Sequence, residues 1–154
     1  LEELRRVPGM ENSRYEDPYS GGKGNSIRYL ALSPRDDHLQ VKGATNLFCA
    51  GEKAGLLVGH TEAIVTGVLA GRNAVCWALG KPLVKIPEST CIGDAITFVR
   101  EQMDTEAGMG KKYTFSGDVL FRRMKEKNLY TTDIAAIKQR VADAGFTNLF
   151  GKEV

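Results

Sequence analysis

The fold is decided by residues 44–82, which read ATNLFCAGEKAGLLVGHTEAIVTGVLAGRNAVCWALGKP. The stretch opens with a short apolar run, residues 46–51, that stops at a glycine as a buried parallel strand does. A glycine-bearing loop follows over residues 52–59. A long helical pattern then covers about residues 60–79, until a glycine and a proline end it. This order predicts a strand, a glycine-rich loop and a helix that packs on the strand.

The expected helix has glycine at two interior positions, Gly67 and Gly71, with alanines at neighbouring helical spacing. Each interior glycine costs a helix about 1 kcal/mol relative to alanine, so glycine at such positions usually marks close approach to another backbone. We therefore expect this helix to pack tightly against a sheet or a cofactor. Thr61 or His60 is expected to cap it, and Glu62 lies in the first turn, where the helix dipole favours negative charge.

Beyond residue 84 the pattern changes to short helices joined by linkers. The apolar positions of residues 90–103 define an amphipathic helix, and residues 120–127 read as the end of a basic helix. Thr131-Thr132-Asp133 is expected to cap a last helix that runs through Ala144. The sequence thus predicts a mainly helical appendage over residues 85–154.

The composition of the 154 residues is that of a globular chain, with 42% hydrophobic and 26% charged residues. The formal net charge is +2, from 21 basic and 19 acidic residues, so charge alone does not indicate a dedicated nucleic-acid binder. No window approaches the ~20 consecutive apolar residues of a membrane helix, and we expect no membrane partner. The first residues lack an initiator methionine and a signal peptide, and they read like a cut into a longer chain.

The three cysteines, Cys49, Cys76 and Cys91, cannot all pair within the chain. None stands at C-x-x-C spacing or at a metal-ligand spacing with His38 or His60, so no metal site is predicted. Cys49 and Cys76 lie in apolar runs and are interpreted as free buried thiols. A reducing, cytoplasmic location follows as the default.

Several motifs together resemble a signature of related flavoproteins, the glucose-inhibited division protein A family and its sister, the folate- and FAD-dependent tRNA (uracil-5-)-methyltransferases. In both, a strand ending L-F-F-A-G-Q leads through a glycine loop to G-Y-x-E-[SA]-A and then G-L-x-A-G-x-N-A. The corresponding stretches here are NLFCAGE at 46–52, GHTEA at 59–63 and GVLAGRNA at 67–74. VPGMEN at 7–12 resembles the family's I-P-G-L-E-N, and residues 80–93 are similar to the methyltransferase branch; the match covers roughly residues 4–102.

The resemblance implies an α/β fold in which this chain is part of an FAD-binding, Rossmann-like domain. Residues 1–84 would be the carboxy-terminal portion of that domain and residues 85–154 the helical appendage. The G-x-G-x-x-G unit that holds the FAD pyrophosphate is absent here, so the amino-terminal part of the same parent chain would supply it. The parent would be an oxidoreductase or methyltransferase that modifies tRNA, with tRNA and reduced folate as partners.

By the same resemblance, the flavin would contact the loop and the helix start that follow the strand. The implied cofactor-binding residues are Gly51, Glu52, Gly55, Gly59, His60, Thr61 and Glu62. The amino terminus of the helix would face the flavin and stabilise its anionic reduced form. The catalytic cysteines of both families lie upstream of this segment, so the catalytic residues are unknown, and none of the three cysteines here matches them.

The chain departs from the family pattern at two of these residues. The family's Gln after A-G is Glu52, its Tyr is His60, and the loop that joins them is one residue longer. Glu52 could accept a hydrogen bond from a ribityl hydroxyl and place a negative charge near the flavin, or it could be an ordinary surface carboxylate. His60 could be an acid or base, or only a helix cap.

A different class of function stays open at the carboxy terminus. The basic residues Arg122, Arg123, Lys125 and Lys127 could contact tRNA phosphates, which would suit a non-catalytic domain that binds RNA or a protein. A solvated helix face, with Glu126 among the basic residues, explains the same pattern equally well.

Overall fold

The computed structural model describes residues 2–11, 32–55, 57–109 and 111–154. The chain divides into two compact units, Leu1–Ala31 and Leu32–Val154. In the first unit the described residues form one short helix, α1 (Glu2–Arg5), which carries exposed ion pairs from Arg5 to Glu2 and from Arg6 to Glu3. The expected domain boundary at residue 84 stays a prediction.

Helices make up the regular structure of the second unit. They are α2 (His60–Ala78), α3 (Cys91–Met103), α4 (Glu106–Met109), α5 (Asp118–Glu126) and α6 (Ile134–Asp143), with 3-10 helices at Gly51–Ala54 and Leu149–Gly151. Among the described residues, β structure is limited to isolated bridges that join Arg35 with Val41, Gln40 with Phe48 and Leu57 with Tyr113. In the part of the chain that the structure describes, no helix is long and apolar enough to cross a membrane.

The prediction of a buried strand over residues 46–51 is wrong. Within this run only Phe48 makes a bridge, Leu47 is 52% exposed, and Gly51 already begins a 3-10 helix. A strand needs a neighbour along its whole length to satisfy its backbone groups, but the described residues give this run only two backbone–backbone bonds, from Val41 N to Leu47 O and from Cys49 N to Leu39 O. The α/β class is therefore not confirmed by the described residues, which are helical.

The predicted long helix is confirmed as α2, within one residue of its expected carboxy-terminal end. One face is buried at positions three or four residues apart: Glu62, Thr66, Leu69, Ala70, Asn73 and Cys76. The prediction that Gly67 and Gly71 pack closely is wrong within this chain, because nothing described lies within 4 Å of a Cβ built on either glycine. They lie on the opposite face, which also exposes Ile64 (66%), Val68 (45%) and Val75 (46%).

Asn73 is fully buried on α2 and forms hydrogen bonds with two loops. Its Nδ2 donates to the carbonyls of His38 and Val84, both at 2.9 Å, and its Oδ1 accepts from Val84 N at 2.7 Å. A buried amide with this many partners fixes orientation more strongly than an apolar side chain could. The apolar core beside it consists of Leu39, Cys49, Ala54, Leu69, Ala70, Ile86 and Ile96.

Arg35 is a buried cation, only 1% exposed, that links the 3-10 helix Gly51–Ala54 to α3. Its Nε donates to Ala54 O at 2.7 Å and its Nη2 to Ile96 O at 2.9 Å. Burial lowers the pKa of Arg35 to about 10, partly offset by the nearby charge of Asp37. The loop that follows the predicted strand is therefore held to α3 by a buried cation.

The cap predicted for the last helix is confirmed at Asp133, and α3 has a side-chain cap as well. The Thr90 side chain accepts from Gly93 N at 3.1 Å at the start of α3, and Asp133 Oδ1 accepts from Ala135 N at 2.8 Å at the start of α6. Each of these bonds satisfies an amide that has no partner inside its helix. The basic helix that was expected at residues 120–127 is α5.

Candidate functional site

The loop from Gly51 to Gly59 is tied to the first turns of α2 by Thr66. Gly51 N donates to Thr66 Oγ1 at 2.8 Å, and that hydroxyl donates to Glu62 O at 2.7 Å. Gly51 has φ +59, and a Cβ built on it would lie 3.6 Å from Ala63 Cβ. Gly51 is thus buried against α2, and its positive φ, rather than a lack of space for a Cβ, is what favours glycine there.

Gly55 also has a structural contact, but with α3. It has φ +120, and a Cβ there would lie 2.8 Å from Met103 Sδ and 2.9 Å from Val99 Cγ1. Gly55 therefore lets the loop pack on α3, and its buried position faces protein.

Glu62 turns inward from the first turn of α2 and is 3% exposed. Its Oε1 accepts from the backbone N–H of Phe115 at 2.6 Å. Its Oε2 fills the space beside Gly59, where a built Cβ would collide with it and where φ is +143. The sequence gives no sign of this partner, because Phe115 lies 53 positions away along the chain.

The remaining candidate residues are exposed: Gly59, His60 and Thr61 at the start of α2, and Glu52 in the preceding 3-10 helix. The prediction that Thr61 or His60 caps this helix is wrong, because Gly59 is the N-cap and no side chain caps the helix. The first amides of a helix have no partner within it, and together with the dipole they attract negatively charged groups. Glu52 lies on the exposed side of the 3-10 helix Gly51–Ala54, which contacts α2 through Gly51.

The described residues also form a small pocket beneath α2. The pocket under α2 is lined by Leu57, Glu62, Val65, Thr66, Ile92, Ala95, Ile96 and Phe115. Its cavity volume is about 10 Å³, far below the ~300–1,000 Å³ of ordinary ligand pockets. The exposed loop and helix start instead present open backbone amides and the Glu52 carboxylate to a ligand.

The basic residues of α5 are already engaged by other groups. Arg123 makes a bidentate pair with Asp94, with Nε and Nη2 at 2.7 and 2.9 Å from its two oxygens. Lys127 also pairs with Asp94, which is 2% exposed. Arg122 pairs with Asp118, and Lys125 Nζ lies 4.2 Å from the centre of the Phe121 ring. Arg123 and Lys127 are thus committed to Asp94, but four cations share two carboxylates, so the cluster keeps an excess of positive charge.

The cysteines and histidines of the described residues do not form a reactive centre. All three cysteines are free, and burial raises the pKa of Cys49 and of Cys91, which keeps both as thiols. His38 Nδ1 lies 3.2 Å from Asp36 Oδ2 on a turn. Within the described ranges, no group of three or more His, Cys, Asp or Glu side chains could hold a metal ion.

The comparisons with known proteins agree with the motif signature. Residues 1–82 match the family model described as glucose inhibited division protein A. Three similar relatives bear the name methylenetetrahydrofolate–tRNA-(uracil-5-)-methyltransferase. The protein from Caldicellulosiruptor bescii is 35% identical over 99 residues, which cover 62% of this chain and 21% of the relative. The protein from Methylobacterium radiotolerans is 37% identical over 98 residues, which cover 62% of this chain and 20% of the relative. The protein from Thermus thermophilus is 33% identical over 99 residues, which cover 62% of this chain and 21% of the relative.

The chain spans about a fifth of the length of these curated relatives. No solved protein structure matches it. The family model nevertheless covers more than half of the chain and includes the loop and helix start that form the candidate site. The chain therefore belongs to the glucose inhibited division protein A family.

Proposed function

We propose that this chain is the flavin-covering part of an FAD-binding domain in a longer oxidoreductase that modifies tRNA. The observation that carries the proposal is the open amino terminus of α2, with Gly59 as a cap that has no side chain. His60 and Thr61 are exposed in its first turn, and Glu52 is exposed in the preceding 3-10 helix. FAD, when bound, supplies the electron and hydride transfer.

The residues of this chain would bind and orient the cofactor. The amides at the start of α2 would donate to the carbonyl edge of the flavin, and the partial positive charge there would favour its reduced anion. Glu52 would accept from a ribityl hydroxyl and set a negative charge near the ring. Gly51, Gly55 and Glu62 would act indirectly, because their contacts hold the loop against α2 and α3.

The partner we propose for this chain is the amino-terminal part of the same parent protein, which would hold the FAD pyrophosphate. The outward face of α2 supports this, since Ile64, Gly67, Val68, Gly71 and Val75 form an exposed stripe along it. Exposed apolar side chains at helical spacing mark a surface that packs on another element. Glycines in the stripe would let a sheet approach closely.

The name of the relatives suggests the substrates of the parent protein. Their name joins methylenetetrahydrofolate, tRNA and uracil-5 methylation, and we propose a reduced folate and a tRNA as the substrates of the parent protein. The three free cysteines fit a reducing compartment such as the cytoplasm.

Absorbance of the purified full-length protein tests the proposal. We expect flavin bands, and release of FAD on denaturation in a ratio of about one per chain. A matched pair of variants locates the site: Thr61→Pro, which removes one open amide of α2, against Thr132→Pro, which alters an exposed residue before α6. The first should weaken flavin binding and the second should not. A colourless full-length protein would overturn the proposal.

A further inference from the structure

The carboxy-terminal appendage holds the start of α2 through three neighbouring contacts. Leu57 and Tyr113 form a parallel bridge, and Val58 N donates to Tyr113 O at 3.0 Å. Phe115 N donates to Glu62 Oε1 at 2.6 Å. The segment Tyr113–Phe115, which we call the brace, thus lies beside the loop that leads into α2.

The brace is itself firmly anchored. Tyr113 is fully buried, its hydroxyl donates to Gly108 O at 3.1 Å, and its ring meets that of Phe98 edge-on at 5.7 Å between centres. Arg123 covers the same Phe98 ring at 4.2 Å while it pairs with Asp94. The brace is therefore part of a packed cluster on α3, and it can transmit a fixed position to the loop.

We propose that the brace sets the position of the open amino terminus of α2, and that Glu62 is a positioning residue for the flavin. The inference rests on the proposed function, and it assigns a role to residues beyond position 82, where the family match ends. The bond to Phe115 also keeps the Glu62 carboxylate away from the open amides. Without it, that carboxylate would be free to turn outward and compete with the flavin for them.

Three variants of Glu62 in the full-length protein separate these effects. Glu62→Gln loses the charge but keeps an acceptor for Phe115 N, whereas Glu62→Ala loses both. Glu62→Asp keeps the charge on a side chain one methylene shorter, which cannot reach Phe115 N in the same backbone position. Glu126→Ala, at an exposed position on α5, is the control.

Amide hydrogen exchange measures the stability of the brace contacts, and it does not depend on bound flavin. We expect the amides of residues 57–62 and 113–115 to exchange about tenfold faster or more in Glu62→Ala and Glu62→Asp, and at nearly the wild-type rate in Glu62→Gln and Glu126→Ala. Equal exchange in Glu62→Ala and Glu62→Gln would overturn the inference. If Glu62→Ala does not fold, Glu62→Asp against wild type decides the same point.

The reduction potential of the bound flavin tests whether Glu62 positions the start of α2. Glu62→Ala and Glu62→Gln carry the same charge, so a lower potential in Glu62→Ala than in Glu62→Gln reports a displaced helix terminus. Identical potentials in a flavin-containing protein would overturn the positioning role. A protein without flavin would instead contradict the proposed function, while hydrogen exchange would still decide whether the brace exists.

Discussion

The backbone amide of Gly51 and the hydroxyl of Thr66 form a buried hydrogen bond of 2.8 Å that ties the candidate loop to α2. Thr66 is 2% exposed, so no water can replace its oxygen. Thr66→Val keeps the shape but leaves the Gly51 amide without an acceptor, which costs about 1–3 kcal/mol. We expect this loss in the free energy of unfolding of the full-length protein, measured by urea denaturation.

Thr66→Ser is the matched control, since it retains the hydroxyl. It should recover most of the stability lost in Thr66→Val. Equal stability of the two variants would contradict the role assigned to this bond.

The environment of Asp94 predicts how the stability of the folded chain changes at low pH. Burial opposes its ionisation, but hydrogen bonds from Arg123 and Lys127 outweigh this and hold the pKa of Asp94 below its ordinary value. The unfolded chain therefore binds a proton at higher pH than the folded chain does. The stability from Asp94 is complete above about pH 5 and is lost as the pH falls through the lowered pKa.

Asp94→Asn should destabilise the protein by about 1–3 kcal/mol near neutral pH, because two cations lose their charged partner. The difference in the free energy of unfolding from wild type should shrink between about pH 5 and pH 3. Asp118→Asn removes an exposed pair with Arg122 and should change stability by less than about 1 kcal/mol. A constant difference across the pH range would show that ionised Asp94 is not the stabilising form.

The substitution Gly71→Ala tests whether the outward face of α2 is open to solvent or packed in the full-length protein. Alanine in an open helix interior is favoured over glycine by about 1 kcal/mol, and nothing described lies near Gly71 in this chain. We expect Gly71→Ala nevertheless to destabilise the full-length protein, because the outward face of α2 would pack on the amino-terminal part. A thermal melt that rises in this variant would mean that the face is open to solvent.

The 154-residue chain alone should bind FAD weakly or not at all. The glycine-rich turn that grips a dinucleotide pyrophosphate is absent from this sequence. Titration of the chain into FAD, followed by flavin fluorescence, measures this directly. Tight stoichiometric binding would contradict the need for a second part.

The features that could be predicted from the sequence are those that neighbouring residues determine. The start of α6 depends on Asp133, and the start of α3 on Thr90, each of which caps amides within three positions. The strand expected at residues 46–51 failed because a strand depends on partners elsewhere in the chain. The periodicity of α2 marks its buried face, but it cannot show what covers the other face.

The same reasoning explains which parts of the candidate site were missed. The helix start and the loop glycines could be found from local motifs. The inward turn of Glu62 could not, because its partner is the backbone of Phe115 and a backbone amide leaves no signal in the sequence. The four basic residues read as a free cluster for a similar reason, since Asp94 lies 29 positions before Arg123.

Glu52 provides the most direct test of the claim that this surface contacts a flavin. Glu52→Gln in the full-length protein removes a negative charge and keeps a hydrogen-bond acceptor, so FAD should stay bound. Without that charge the reduced anion is more stable, and spectroelectrochemical titration should give a potential higher by on the order of tens of millivolts. Glu88→Gln, at another exposed carboxylate, is the control and should leave the potential unchanged. An unchanged or lowered potential in Glu52→Gln would contradict the placement of the flavin on this loop.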